Sequence, residues 1–118
     1  MPHLRLEYTA NVPQKVDFSD LLAELQQTMS EVGNIPIANF KSRAYRLEDY
    51  CMADGASGKS FVHLDVQFLE GRPLELKQRI GEALMGALKA RYAPAIAQGG
   101  LELSVELREI QRAVYFKA

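Results

Sequence analysis

The residues of this chain that could do chemistry begin at its second position. Pro2 directly follows Met1, and a small residue there normally allows the methionine to be trimmed. Trimming would leave a proline secondary amine as the chain terminus. Behind it, Leu4, Leu6 and Tyr8 alternate with His3, Arg5 and Glu7, the period of two expected of a half-buried β-strand. Pro2 has the parity of the apolar residues, so its nitrogen falls at the end of a buried face. An amine there loses hydration, which favours its neutral form and lowers its pKa. The unperturbed α-amino value is about 7.7–8.0, so a modest shift yields a base poised near neutral pH. On this stretch alone, a merely tolerated second residue explains Pro2 more simply, because nothing local places a substrate beside it.

Three cations are candidates to hold an anionic substrate. Arg72 lies in Glu70-Gly71-Arg72-Pro73, where a strand gives way to a helix. A guanidinium beside a helix N-terminus joins free backbone N–H groups and the positive dipole end, a setting suited to carboxylate or phosphate. Lys41 and Arg43 share parity on a second strand and can point into one cavity. Taken singly, each is as well explained as a scattered surface cation.

Other reactive types lead less far. His3 and His63 sit opposite the apolar positions of their strands, with no third ligand at a recognisable metal-site spacing, so no metal is expected. Cys51 has no neighbour that would activate it. Asp54-Gly55-Ala56-Ser57-Gly58-Lys59-Ser60 only superficially resembles a phosphate loop, since it leads into a strand and not a helix.

The elements that must position these residues follow from periodicity. Leu21, Leu22, Leu25, Met29 and Val32 predict a helix over 17–32, with Asp17 or Ser19 as N-cap and Gly33 at the left-handed position beyond it. A strand is expected within 41–52, followed by a flexible turn at 54–58. Val62, Leu64, Val66 and Phe68 mark the clearest strand. Pro73 suits the first turn of a second helix carrying Leu76, Ile80, Leu84, Leu88 and Tyr92, with Glu75 and Arg79 spaced for an ion pair. Pro94 should end or kink that helix. A strand over 101–108 and a short extended segment, Val114-Tyr115-Phe116, complete the chain. The order β-α-β-β-α-β predicts an α+β fold of two β-α-β repeats: a four-stranded sheet with two helices on one face, in a single domain over residues 1–118. The other sheet face would need covering, for instance by another subunit.

Composition narrows the function classes. With 14 basic and 15 acidic residues, the net charge of -1 argues against nucleic-acid binding. A lone cysteine permits no intrachain disulfide and fits a reducing compartment. No apolar run approaches the roughly 20 residues of a membrane span, and no signal-peptide pattern is evident, so a cytoplasmic protein is expected.

Met1-Pro2-His3, Lys41-Ser42-Arg43, Met52-Ala53-Asp54-Gly55, Phe61-Val62-His63, Gly71-Arg72 with Leu74-Glu75, and Phe116-Lys117 occur in an order and spacing that resemble the 5-carboxymethyl-2-hydroxymuconate isomerase family of the tautomerase superfamily. The resemblance runs along nearly the whole chain. It implies a homotrimer with sheets inside and helices outside, and a place in aromatic compound catabolism, specifically homoprotocatechuate degradation. It also implies cofactor-independent keto–enol tautomerisation of a small unsaturated hydroxy-carboxylate, with Pro2 as general acid/base and Arg72 as a substrate-binding cation. Another family arginine falls at Lys41. Lysine keeps the charge but loses the planar fork that matches a carboxylate, so Arg43 is a candidate to share the role. The same scaffold would also suit a phenylpyruvate-type tautomerase or a non-catalytic small-molecule-binding protein.

Overall fold

The computed structural model describes residues 1–118. The alternation at the start of the chain forms β1, His3–Thr9, in which Leu4 and Leu6 are fully buried while His3, Arg5 and Glu7 are half-buried. Helix α1, Phe18–Gly33, places Leu21, Leu25 and Met29 on that buried side. Its N-cap is Asp17, whose carboxylate accepts the backbone N–H of Asp20 at 3.2 Å. The left-handed residue at the other end is Asn34, at φ 52° and ψ 51°, and not Gly33 as the sequence suggested. Asparagine tolerates that conformation, whereas Gly33 is needed for close packing. A Cβ on Gly33 would stand 3.1 Å from Ile35 Cδ1 and 3.2 Å from Ile80 Cδ1, the latter on the second long helix.

A short 3-10 turn, Ile37–Asn39, leads into β2, Lys41–Leu47. This strand stops well short of Met52, and residues 48–59 form bends and turns before β3, Ser60–Leu69. Helix α2, Leu74–Arg91, starts one residue later than Pro73 implied, because Pro73 is extended (φ -67°, ψ 153°) and serves as N-cap. Glu75 and Arg79 form no ion pair; the helix instead ties to the sheet through Lys77 and Glu109 at 3.4 Å. The backbone breaks at Tyr92, and helix α3, Ala93–Gln98, carries Pro94 in its first turn. Strand β4, Leu101–Ile110, follows. Beyond it a 3-10 turn, Arg112–Val114, takes the first residue of the expected extended segment, while Tyr115 is extended at φ -109° and ψ 114°.

The four strands lie in the order β2-β1-β3-β4. Strands β1 and β2 are parallel, β1 and β3 antiparallel, and β3 and β4 parallel. Both long helices cover one face, where Leu4, Leu6, Val62, Leu64, Val66 and Phe68 meet Leu21, Leu25, Ile80, Leu84 and Leu88. Burial of each such side chain contributes about 1.5–3 kcal/mol. The opposite face carries the odd-numbered residues of β1, β2 and β3, including His3, Lys41, Arg43, His63 and Asp65. Because Leu64 is fully buried at the centre of this core, Leu64→Ala should lower unfolding free energy by about 2–5 kcal/mol. Urea denaturation should show this as a shifted midpoint with an unchanged slope.

Candidate active site

Pro2 is buried, at the head of a strand hydrogen-bonded on both sides. Its carbonyl accepts the backbone N–H of Lys41 at 3.1 Å, which locks the terminus to the start of β2. His3 stands opposite Lys41 in the parallel register. The end of the sheet therefore gathers Met1, Pro2 and Lys41 through backbone pairing alone.

Arg72 reaches the same end from the β3–α2 junction. Its guanidinium lies 5.7 Å over the Phe68 ring and donates to the Leu69 carbonyl at 3.2 Å. Gly71 just before it has φ 119°, a conformation open chiefly to glycine. The tail after β4 supplies two further cations with no spacing that marks them as site residues in the sequence, Arg112 and Lys117. Glu70 anchors that tail: its carboxylate accepts the Arg112 backbone N–H at 2.8 Å, and its own N–H donates to Ile110 at 3.1 Å. Lys117 Nζ then lies 3.8 Å from Met1 Sδ. The 3-10 turn Arg112–Val114 precedes the residues that return to the terminus, a change of direction that an extended segment alone did not suggest.

None of Lys41, Arg43, Arg72, Arg112 and Lys117 has a carboxylate within 4.0 Å, although the chain's other ion pairs are well formed. Uncompensated positive charge thus surrounds the terminus. Partial burial pushes the Met1 amino group below its usual value of 8.0, and Arg72, Lys117, Lys41 and Arg112 push it further in the same direction.

Arg43 is held differently. Its guanidinium donates to His3 Nδ1 at 2.9 Å, and His3 Nε2 lies 2.9 Å from the Tyr115 hydroxyl. Loss of hydration holds the His3 imidazole below its usual 6.5, reinforced by Arg43, Lys41 and the terminal amine.

The remaining candidates separate from this site. His3 pairs with Gln67 and His63 with Glu7, so the two histidines lie four positions apart along β1 and cannot share an ion. His63, Asp65 and Glu106 bring their donor atoms within 4.8 Å of one another. However, Arg108 Nε lies 3.0 Å from Asp65 Oδ1, so a guanidinium already supplies the positive charge there. Cys51 is exposed. A concavity of about 580 Å³ lies at the far end of β1, lined by Tyr8, Phe18, Arg46 and Tyr92 among others. Its Arg46 is paired with Glu48 at 2.8 Å, and it contains none of the terminal cations. No helix is long and apolar enough to cross a membrane.

Comparison with known proteins bears directly on this cluster. The family model for 5-carboxymethyl-2-hydroxymuconate isomerase matches residues 2–118. The chain belongs to that family. It is 32% identical, over 99% of its own length and 93% of the relative's, to a 5-carboxymethyl-2-hydroxymuconate Delta-isomerase of Escherichia coli. The solved structure of a 5-carboxymethyl-2-hydroxymuconate isomerase from Deinococcus radiodurans R1 superimposes with a TM-score of 0.90 at 39% identity, covering 99% of this chain and 88% of that one. A more distant structure, a fused 4-OT wild type symmetric trimer, shares the fold at 22% identity and a TM-score of 0.69, with 94% and 87% coverage. The protein is therefore an isomerase with a tautomerase-type α+β fold.

The depressed His3 value has a consequence for stability. The unfolded chain takes up a proton near pH 6.5 while folded His3 does not, so folding weakens as pH falls through 6.5 and levels off only below the folded pKa. His3→Gln, whose amide can accept from Arg43 and donate to Tyr115, should reduce this acid-side loss. Denaturation midpoints of the two proteins at pH 7.5 and pH 5 will show it as a smaller drop for the variant.

Proposed function

We propose that this isomerase shifts a proton within a small unsaturated hydroxy-carboxylate, of the 5-carboxymethyl-2-hydroxymuconate type, with Pro2 as general acid/base. The supporting observation is the convergence of unpaired cations on a buried chain terminus. Once Met1 is removed, the Pro2 secondary amine occupies this setting. Low hydration and surrounding positive charge both favour its neutral form, so it can accept a proton from a dienol hydroxyl or from carbon and return it at a different carbon.

The cations take the complementary role. Arg72 and Lys41 hold substrate carboxylates, and Arg43, two residues along the same strand and face, adds positive charge beside Lys41. Negative charge that develops on the substrate oxygen as the proton moves is stabilised by groups already fixed in place. Arg112 and Lys117 strengthen that field from the tail. Several uncompensated cations fit a substrate with more than one carboxylate better than the monocarboxylate of a phenylpyruvate-type tautomerase. Such an activity fits a step of homoprotocatechuate degradation, as the names of the relatives suggest.

We further propose that residues 1–118 act as one domain within a homotrimer. Neither long helix covers the opposite face of the sheet, where only the tail reaches one end through Tyr115 on His3, and the 4-OT relative of the same fold is a symmetric trimer.

Pro2→Ala, with terminal processing checked by intact mass, should lower kcat on 5-carboxymethyl-2-hydroxymuconate by about 10²–10⁴-fold while leaving the melting temperature near that of the parent. Undiminished turnover would remove Pro2 as the base. In the parent, kcat/KM should fall on the acid side as the amine protonates. The midpoint of that limb should lie below the ordinary α-amino range of about 7.7–8.0.

A further inference from the structure

The hydrogen bonds around His3 leave one donor directed outward. Arg43 carries only N–H groups, with no lone pair to offer, so its 2.9 Å contact with His3 Nδ1 makes that nitrogen the acceptor. The single proton of the neutral imidazole is then on Nε2. It donates to the Tyr115 hydroxyl oxygen, 2.9 Å away, with the two rings arranged edge to face at 6.0 Å. Tyr115 therefore accepts from His3, and its own O–H proton has no acceptor among the protein's groups.

The position of this hydroxyl gives it a use. Tyr115 lies between Arg112 and Lys117, the two tail cations that face the terminus. His3 follows Pro2 directly and stands opposite Lys41 on the same face of the sheet. The Lys41 ammonium has no protein partner, and one guanidinium nitrogen of Arg43 is committed to His3. A carboxylate presents two oxygens, and a lysine is a compact charge without the fork that would satisfy both.

We propose that Tyr115 is a substrate-binding residue whose hydroxyl donates to a carboxylate of the substrate held at Lys41, with His3 and Arg43 as the positioning residues that fix its direction. The proposal rests on the reading of the Pro2 end as the active site, but it concerns binding and not proton transfer. The two donors complement each other: Lys41 supplies charge and Tyr115 supplies a second, directional hydrogen bond. Because this bond is made equally in ground state and transition state, its loss appears in KM and leaves kcat largely unchanged.

Protonation of His3 would undo the arrangement, since an imidazolium presents N–H to Arg43 on the side that must accept. The charged and titratable groups around His3 are Arg43 and Lys41 from β2, the terminal amine of its own strand, and Tyr115 from the tail; its neighbour on β3, Gln67, is neutral. Every cation in that set holds the imidazole neutral. Weakening of binding through this route is therefore confined to acid pH.

The test measures both turnover and equilibrium binding. Tyr115→Phe should raise KM for 5-carboxymethyl-2-hydroxymuconate by about tenfold or more, the loss expected of one hydrogen bond to a charged group, with kcat within about twofold of the parent. It should weaken binding of the non-reacting tricarboxylate tricarballylate, measured by calorimetry, by a similar factor. In a Lys41→Ala background the same substitution should have much less effect, because both residues hold one carboxylate. His3→Gln should retain parental KM at pH 7.5 and lose the rise in KM at acid pH, whereas His3→Leu should raise KM at both. Unchanged KM and tricarballylate affinity in Tyr115→Phe would overturn the proposal, as would a loss confined to kcat or full additivity with Lys41→Ala. Failure of the base assignment reads differently: Pro2→Ala would keep its turnover while Tyr115→Phe still weakened binding.

Discussion

The structure depends on the pairing of β1 in the middle of the sheet. A strand with neighbours on both sides has no freedom to shift register, because a slip of one residue would turn Leu4 and Leu6 out of the core. That constraint fixes the chain terminus in space to within the precision of the core itself. A terminal amine is ordinarily mobile and hydrated. Here it is tied by the 3.1 Å bond between the Pro2 carbonyl and Lys41, and it sits where the β3–α2 junction and the tail both deliver cations. The hydrophobic pattern of seven residues thus determines the electrostatics of a site at their end.

Those electrostatics have an evident cost. Cations without carboxylate partners repel one another and the amine, and the chain has acidic residues enough to neutralise them. It uses them elsewhere: Asp20 and Glu24 hold Arg91, Asp65 and Glu106 hold Arg108, and Glu109 holds Lys77. Glu70, which anchors the tail, directs its carboxylate to a backbone N–H. Four unpaired cations, Lys41, Arg72, Arg112 and Lys117, therefore gather at one end of a molecule with near-neutral total charge, which is why composition gave no hint of them. A site left uncompensated in this way is suited to anions that bring their own negative charge.

Much of the architecture could be read from periodicity. The alternation in 3–8 and 62–68 and the helical stripes of α1 and α2 are local signals, and each formed the element it predicted. Pro94 marked the break between α2 and α3. The errors arose where a local preference met tertiary demand. Gly33 is the better left-handed residue, yet Ile35 and Ile80 need its missing side chain more, and Asn34 takes the turn. Val114-Tyr115-Phe116 has strand-forming residues, but Glu70 captures the Arg112 amide and a 3-10 turn takes Val114, so the backbone turns extended only at Tyr115.

The site was legible only in part for the same reason. Pro2, Lys41, Arg43 and Arg72 each carried a spacing or junction that suggested chemistry, and three of them converge on the terminus. Arg43 turns to His3 instead, an arrangement set by strand register and invisible in one dimension. Arg112 and Lys117 lie in a stretch with no periodic signal, so their contribution depends entirely on the folding back of the tail. If Pro2 is the base, its free amine must be held neutral by the low hydration and positive charge at this end of the sheet. The most direct measurement is an NMR titration of the Pro2 nitrogen in protein whose intact mass shows that Met1 has been removed. A single transition below the ordinary α-amino range of about 7.7–8.0 is expected. A transition within or above that range, or natively produced protein that retains Met1 throughout, would contradict it.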